Sequence, residues 1–163
     1  MKFPAFVAAL LLLAAPAASA APTALVLAGE DGREQAVTAA EIKALPHVDA
    51  RVTHEGKVMA FRGVLLSDLL KTVAAPLGKE MRGPALADVV IVTAADGYVA
   101  TLALSDLEPS IRATRVVLAD GGADGAALDK DGPYRLVVDG DLKPARAERN
   151  VVRIEVRRLR APH

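Results

Sequence analysis

Short stretches of apolar residues separated by turn residues predict a protein built mainly from strands. The clearest stretch spans residues 89–107. Residues 89–93 are β-branched, as is typical of a strand buried on both faces. Asp96-Gly97 predicts a two-residue hairpin turn. Tyr98 then begins the return strand, so this segment is expected to form a hairpin around which the rest of the chain packs.

Two stretches favour helices. Thr38 and Glu41 have the spacing of a capping box, which predicts a short helix that Pro46 ends. Residues 63–71 lead into a second helix, expected to end at Pro76 and marked by an apolar stripe at helical spacing. Ser67 and Ser105 are interpreted as helix-start residues, Ser105 in a capping box with Glu108. The stripe consists of Leu66, Leu69, Leu70 and Val73.

The remaining pattern consists of further short strands with no internal repeat and no linker. This pattern predicts one α+β domain over residues 21–163, with a mixed, curved β-sheet and a few short helices. The other strands are expected at residues 23–28, 48–53, 57–61, 115–119, 134–138 and 151–156.

The first twenty residues resemble a secretory signal peptide. Lys2 precedes an apolar run over residues 6–15, and Ala18-Ser19-Ala20 forms a small-x-small cleavage signal. The mature chain is therefore expected to begin at Ala21 and to be periplasmic or secreted, without stable membrane insertion after cleavage. An uncleaved anchor is the alternative interpretation.

The amino-acid composition excludes several kinds of site and partner. The chain has no Cys, which excludes disulfides, thiolate metal ligands and a Cys nucleophile. The 20 basic and 20 acidic residues balance, and removal of Lys2 with the signal leaves 19 against 20, a formal charge of −1. A chain of this charge has no overall drive toward nucleic acid or anionic membranes. Because Trp is absent, the core is expected to be aliphatic.

The loop before the last predicted strand is the best candidate for a binding site. Arg146 and Arg149 lie three residues apart, with Lys143 just upstream. Guanidinium groups present a planar donor fork that matches phosphate, sulfate or carboxylate. The loop is therefore a candidate anion site, and the alternative is a solvated basic loop that keeps a sheet edge soluble.

Tyr98 and His54 are the other candidates. Tyr98 either packs in the core with its hydroxyl satisfied or presents that hydroxyl at a cleft. His54 falls on the apolar face of its strand and is a better cleft candidate than His47, although a structural role is the alternative. The seven-residue separation of the two histidines is not a metal-ligand spacing.

No catalytic residue and no metal site are predicted from motifs. Nucleotide-binding loops, the nucleophile elbow and metalloprotease helices have no counterpart here. The Gly- and Asp-rich residues 120–132 fit no calcium-binding repeat and are interpreted as a flexible, solvated loop. Asp96 and Gly97 are attributed to their turn.

Four segments in order resemble the small exported relatives of the sulfite-oxidase-type molybdopterin-binding domain. They are an aromatic-x-Gly-Val-x-Leu-x-Asp-Leu-Leu run at residues 61–70, an Asp-Gly-Tyr hairpin at 96–98, a Gly-Pro-x-Arg-Leu-Val-Val strand at 132–138, and an ending at 149–156. The likeness covers roughly residues 52–156 and implies the same fold. Arg149 stands where the family has a cation near the pterin phosphate, whereas Asn150 replaces an aromatic residue.

The resemblance also sets the functional hypotheses. In the full-length enzymes a Cys thiolate holds the molybdenum, and this chain has no Cys. The leading hypothesis is a non-catalytic accessory or ligand-binding module for a small anion, a pterin-like group or a periplasmic partner protein. The alternative is a molybdenum-cofactor-dependent oxidoreductase that uses His54 or an oxygen ligand. A third hypothesis is a partner-binding domain that docks through a sheet edge at residues 151–156.

Overall fold

The computed structural model describes residues 24–159, so the predicted signal peptide and the last four residues lie outside the described residues. The predicted α+β class with a mixed, curved sheet is confirmed, and the strands divide between two sheets. Two short helices, α1 (Ala39–Ala44) and α2 (Leu66–Leu70), accompany them. The strands are β1 (Leu25–Ala28), β2 (Glu34–Val37), β3 (His47–His54), β4 (Lys57–Leu65), β5 (Asp88–Ala94), β6 (Val99–Ala103), β7 (Val116–Gly122), β8 (Arg135–Val138) and β9 (Val151–Arg158).

The five-stranded sheet has the order β2-β1-β9-β5-β6 and is mixed. Strand β9 runs parallel to β1 and antiparallel to β5, so it lies in the middle of the sheet. The prediction that residues 151–156 form a sheet edge is therefore wrong. Strand β2 was not predicted, because three of its four residues are exposed and its sequence carries no apolar alternation.

The four-stranded sheet has the order β3-β4-β7-β8 and curls strongly. Its first strand meets the end of its last one through two hydrogen bonds. Gly140 N donates to Arg51 O at 3.0 Å, and Thr53 N donates to Asp141 O at 3.1 Å. The curl encloses a small apolar cluster formed by Ala50, Val52, Phe61, Val117, Ala119 and Val137.

The main core is shared by both sheets and helix α2. Leu27, Val92 and Ile154 contribute from the five-stranded sheet, and Leu118 and Leu136 from the four-stranded sheet. The apolar stripe of α2 completes it through Leu66, Leu69 and Leu70, which are at most 1% exposed. The core is aliphatic, as the composition predicts, and its burial supplies most of the driving force for folding.

The helix predictions are partly right. Thr38 and Glu41 form the predicted capping box at the start of α1. Helix α2 ends earlier than Pro76, because a 3₁₀ turn at Lys71–Val73 follows it. Ser67 does not cap α2, since Leu65 occupies that position without a side-chain hydrogen bond. No helix within residues 24–159 has the length and apolar character needed to cross a membrane.

The second predicted capping box is wrong. Residues Leu104–Leu107 form a single 3₁₀ turn whose capping residue is Ala103, not Ser105. The Glu108 carboxylate instead accepts hydrogen bonds from Gly78 N at 2.7 Å and from Ser110 Oγ at 3.0 Å. Gly78, thirty residues away, and the nearby Ser110 thus take the carboxylate that the spacing had paired with Ser105.

The predicted hairpin within residues 89–107 is present, with a loop one residue longer than predicted. Ala94 N donates to Tyr98 O at 2.9 Å, and Gly97 N donates to Ala94 O at 3.0 Å. Gly97 has φ 87°, the left-handed conformation that a type I turn followed by a bulge requires. The loop places Asp96 and Tyr98 beside the segment that precedes β9.

Candidate functional site

An open cleft of about 550 Å³ lies between the β5–β6 hairpin loop and the segment that leads into β9. The turn between β3 and β4 and the 3₁₀ turn at Asp129–Asp131 complete its walls. Three residues singled out from the sequence line it together, His54, Tyr98 and Arg149. The other lining residues are Met59, Ala94, Asp96, Lys130, Asp131, Arg135, Pro144, Ala145, Ala147, Glu148 and Asn150.

Asn150 connects the walls of the cleft. Its backbone N donates to Asp131 O at 3.0 Å, and its backbone O accepts from Ala95 N at 2.9 Å. Its side-chain amide donates to Lys130 O at 2.9 Å. The residue has φ 52°, a conformation that Asn tolerates better than most residues. One residue therefore fixes the hairpin loop and the 3₁₀ turn relative to the start of β9.

Arg135 forms the floor of the cleft. Strand β8 holds it in the interior, where it is only 6% exposed. Its guanidinium lies over the Phe61 ring at 4.8 Å from the centroid and hydrogen-bonds the Asp131 carboxylate through Nη1. Within the described residues, Arg135 Nε has no hydrogen-bond acceptor. Burial lowers the pKa of Arg135, and the Asp131 carboxylate opposes that shift.

Asp131 joins Arg135 to Arg149. Arg149 Nη1 donates to Asp131 Oδ1 at 3.3 Å, whereas Arg135 takes the other oxygen. The Arg149 side chain is 59% exposed. Lys130 adds a third cation on the same 3₁₀ turn. This end of the cleft therefore carries three cations against one carboxylate, and it is suited to a bound oxyanion.

Two further carboxylates, those of Glu148 and Asp96, line the cleft. Glu148 is 6% exposed, and no described residue donates a hydrogen bond to its carboxylate. Burial raises the pKa of Glu148, the Asp96 carboxylate raises it further, and Arg149 opposes both. One oxygen of Asp96 accepts from Tyr98 N at 3.0 Å. Glu148 and Asp96 thus both contribute negative charge to the cleft, and Arg149 is the cation that acts on Glu148.

The two remaining predicted site residues lie elsewhere. Arg146 donates through Nε and Nη2 to both oxygens of Asp141, at 3.1 and 2.7 Å. The hydrogen bonds to Asp141 raise the pKa of Arg146. Neither Arg146 nor Lys143 lines the cleft. The structure therefore separates Arg146 from Arg149, although the sequence placed the two cations three residues apart.

Tyr98 is not a core residue. Its side chain is 57% exposed at the cleft, because it follows the hairpin loop rather than an inward position of β6. Tyr134 is the buried tyrosine. His54 lies at the end of β3 and contributes an exposed imidazole to the same cleft. His47 is structural, because its ring nitrogens contact Leu45 O at 2.8 Å and Asp120 Oδ2 at 3.2 Å.

Sequence reasoning missed four charged lining residues, and one of them carried a detectable signal. Arg135 is the only charged residue in the apolar run at residues 134–138, which is unusual for a buried strand. Asp131 was assigned to a flexible, solvated loop, and that interpretation is wrong for this residue. The other two, Lys130 and Glu148, have no local pattern that marks them.

The side chains of the cleft differ from the donor set that holds the metal in the sulfite-oxidase-type fold. The family holds molybdenum with a soft thiolate, and this chain has no Cys. Within residues 24–159, no group of three or more His, Asp or Glu side chains is arranged to hold a metal ion. The guanidinium and ammonium groups of the cleft fit an anionic group. They do not fit the metal itself.

Comparison with known proteins supports the fold. No protein-family model matches the chain, and no curated protein matches it. Among solved structures, the chain is similar to the sulfane dehydrogenase SoxCD from Paracoccus pantotrophus, with 19% identity and a TM-score of 0.61. The match covers 82% of this chain and 38% of that chain, so the protein spans well under half of the dehydrogenase. The likeness supports a distant fold relationship of the sulfite-oxidase type, as the sequence motifs predict.

Proposed function

We propose that the protein is an exported, non-catalytic binding module whose cleft takes a small oxyanion. The observation that carries the proposal is Arg135, a buried guanidinium whose Nε has no acceptor within the described residues. An unsatisfied donor on a buried charged group costs about 1–3 kcal/mol, so such a donor is usually paired. Arg135 lines the cleft, so an oxyanion bound there can pair with its guanidinium, which shares the Asp131 carboxylate with Arg149.

The surroundings of Arg135 support an anionic occupant. Arg149 is held near Arg135 by their shared carboxylate and remains 59% exposed, so it can turn toward a ligand at small cost. Lys130 adds a further positive charge from the neighbouring turn. Two guanidiniums around one carboxylate leave a net positive site, and guanidiniums bind sulfonate, sulfate, phosphate or carboxylate through paired donors.

The absence of a thiolate supports a binding role rather than catalysis. The fold likeness covers 38% of the dehydrogenase chain and says nothing about which of its residues act. The cleft combines no nucleophile with a neighbouring base, since its one imidazole, that of His54, is exposed at the rim. Export is supported by the signal-like residues 1–20.

The second candidate is an oxidoreductase that binds a molybdenum cofactor through a non-Cys ligand. The position of His54 on the cleft favours it, together with the fold likeness. An assay of molybdenum content and pterin fluorescence distinguishes the two candidate functions. The protein for this assay is purified from its native exporting host. Stoichiometric molybdenum contradicts the non-catalytic proposal, and metal-free protein that binds an oxyanion supports it.

Calorimetric titration of the same purified protein with sulfate tests the oxyanion site. Arg149→Gln is expected to weaken sulfate binding about tenfold or more, since a charged hydrogen bond contributes about 1.5–3 kcal/mol. Arg146→Gln is the matched control, because its guanidinium is engaged by Asp141 outside the cleft. We expect it to change the affinity less than about twofold. Equal losses in both variants, or no sulfate binding by the wild-type protein, contradict the proposal.

A further inference from the structure

We infer that the ligand of this cleft is a zwitterion, with its oxyanion at Arg135 and Arg149 and an ammonium group at Glu148 and Asp96. The inference rests on the proposed oxyanion site and specifies the chemical class of its ligand. In this arrangement, the negative group of one small molecule contacts the arginines of the cleft, and its positive group contacts the two carboxylates.

The charge balance of the cleft is the first argument. The lining residues include three cations, Lys130, Arg135 and Arg149, and three carboxylates, Asp96, Asp131 and Glu148. Asp131 is committed to the two guanidiniums. Within the described residues, neither of the other two carboxylates forms an ion pair, and a ligand with negative charge alone leaves them uncompensated. A molecule with one charge of each sign satisfies both ends.

Glu148 is the second and independent argument. The residue is as buried as Arg135, at 6% exposure, and its carboxylate receives no hydrogen bond from a described residue. Its oxygens are not fully enclosed, so they open to the cleft, whereas a structural role would pair such a carboxylate with a cation or with backbone N–H groups. An ammonium group offers three donors and a positive charge in a small volume.

Asp96 and Tyr98 complete the acidic end. The Asp96 carboxylate raises the Glu148 pKa, so the two side chains interact electrostatically. One Asp96 oxygen accepts from Tyr98 N, and Tyr98 itself lines the cleft with an exposed ring. An ammonium group between two carboxylates and near an aromatic face has favourable contacts of both kinds.

The charges of the cleft fall into two groups carried by different segments. Asp131 holds Arg135 and Arg149 together through hydrogen bonds, whereas Asp96 lies on the β5–β6 hairpin loop. Arg149 follows Glu148 in the chain and influences both Glu148 and Arg135. Arg149 is therefore close to both groups of charges, so the ligand needs only a short spacer between its oxyanion and its ammonium group.

Matched pairs of ligands test the inference. The wild-type full chain is titrated with ω-aminoalkanesulfonates that have two, three or four carbons, and with the alkanesulfonates of the same lengths. At the best length, we expect the zwitterion to bind about tenfold more tightly than the anion that lacks the ammonium group. Equal affinities at every length overturn the zwitterion inference and leave the oxyanion proposal intact. If neither series nor sulfate binds, the oxyanion proposal itself fails.

Variants of the acidic end make the test specific. Glu148→Gln keeps the shape of the side chain and is expected to abolish the preference for the zwitterion while alkanesulfonate binding persists or improves. Asp96→Asn keeps an oxygen for Tyr98 N and is expected to reduce the preference in part. Glu80→Gln removes a carboxylate from an exposed position outside the cleft and serves as the control. A preference that survives in Glu148→Gln overturns the inference, provided that urea unfolding shows the variant to be folded.

Discussion

The side-chain amide of Asn150 donates to the carbonyl oxygen of Lys130 at 2.9 Å. This hydrogen bond ties the start of β9 to the 3₁₀ turn that carries two charged residues of the cleft. Asn150 makes it from a left-handed backbone conformation, with φ 52°. The residue thus combines a conformational role with a specific contact, and the two roles can be separated by substitution.

Asn150→Gly and Asn150→Ala are expected to differ in stability. Both lose the amide hydrogen bond, which contributes about 1 kcal/mol. Only Ala adds the cost of a side chain in the left-handed region, about a further 1 kcal/mol. Urea unfolding is therefore expected to show a loss of about 1 kcal/mol for Gly and about 2 kcal/mol for Ala. A Gly variant less stable than the Ala variant contradicts this account.

Gly63→Ala is expected to destabilise the four-stranded sheet severely. Gly63 lies at the register shift between β4 and β7, where an added Cβ overlaps Leu118 O and the Ala119 Cα. Backbone atoms cannot move aside as side chains do, so we expect a loss of about 3 kcal/mol or more. Gly121→Ala is the control, since its added Cβ is 3.2 Å from Ala126 O. The control is expected to cost less than about 1 kcal/mol in urea unfolding, and similar losses in the two variants count against the clash.

Stability is expected to depend on pH through Glu108. Hydrogen bonds from Gly78 N and then from Ser110 lower the pKa of the Glu108 carboxyl below its ordinary value of 4.5. The unfolded chain therefore binds more protons than the folded one in this range, and the free energy of unfolding rises with pH. The contribution is present above about pH 4.5 and is lost as the pH falls through the folded-state pKa.

Glu108→Gln is expected to flatten this dependence. Urea unfolding between pH 3 and pH 6 gives a steeper rise in stability for the wild-type protein than for the variant. Glu80→Gln removes the same formal charge at an exposed site and is the control. A wild-type slope retained in Glu108→Gln assigns the acid sensitivity to other carboxyls.

Two adjacent arginines on β9 are expected to differ in their effect on stability. Arg158 donates through Nε at 2.8 Å and Nη2 at 3.1 Å to Asp88, whose side chain is fully buried. Arg157 pairs with Glu155 at the surface. Arg158→Met leaves a buried carboxylate without its partner, whereas Arg157→Met removes an exposed pair of small value. We expect Arg158→Met to lower the urea midpoint clearly more, and equal midpoints argue against this view of Asp88.

Local sequence was sufficient for most elements of the fold. The β-branched run at residues 89–93, the Thr38 and Glu41 spacing and the stripe of α2 each depend on neighbours within a few residues. The same reasoning failed at Glu108, whose partner Gly78 lies thirty residues away in the chain. It also failed for β9, because no local pattern tells a central strand from an edge strand when both alternate.

In the candidate site, too, the available groups follow from the sequence, whereas their meeting depends on long-range packing. The sequence by itself determined the chemistry available: no thiolate, balanced charge, a basic segment before the last strand and an Asp-Gly-Tyr hairpin loop. Only the tertiary structure decided which of these groups meet. It turned Arg146 toward Asp141 and brought Arg149 to Asp131, Arg135 and the hairpin loop. The reason is physical, because charged side chains pair with whatever the packed sheets bring near, and those distances arise from contacts far apart in the chain.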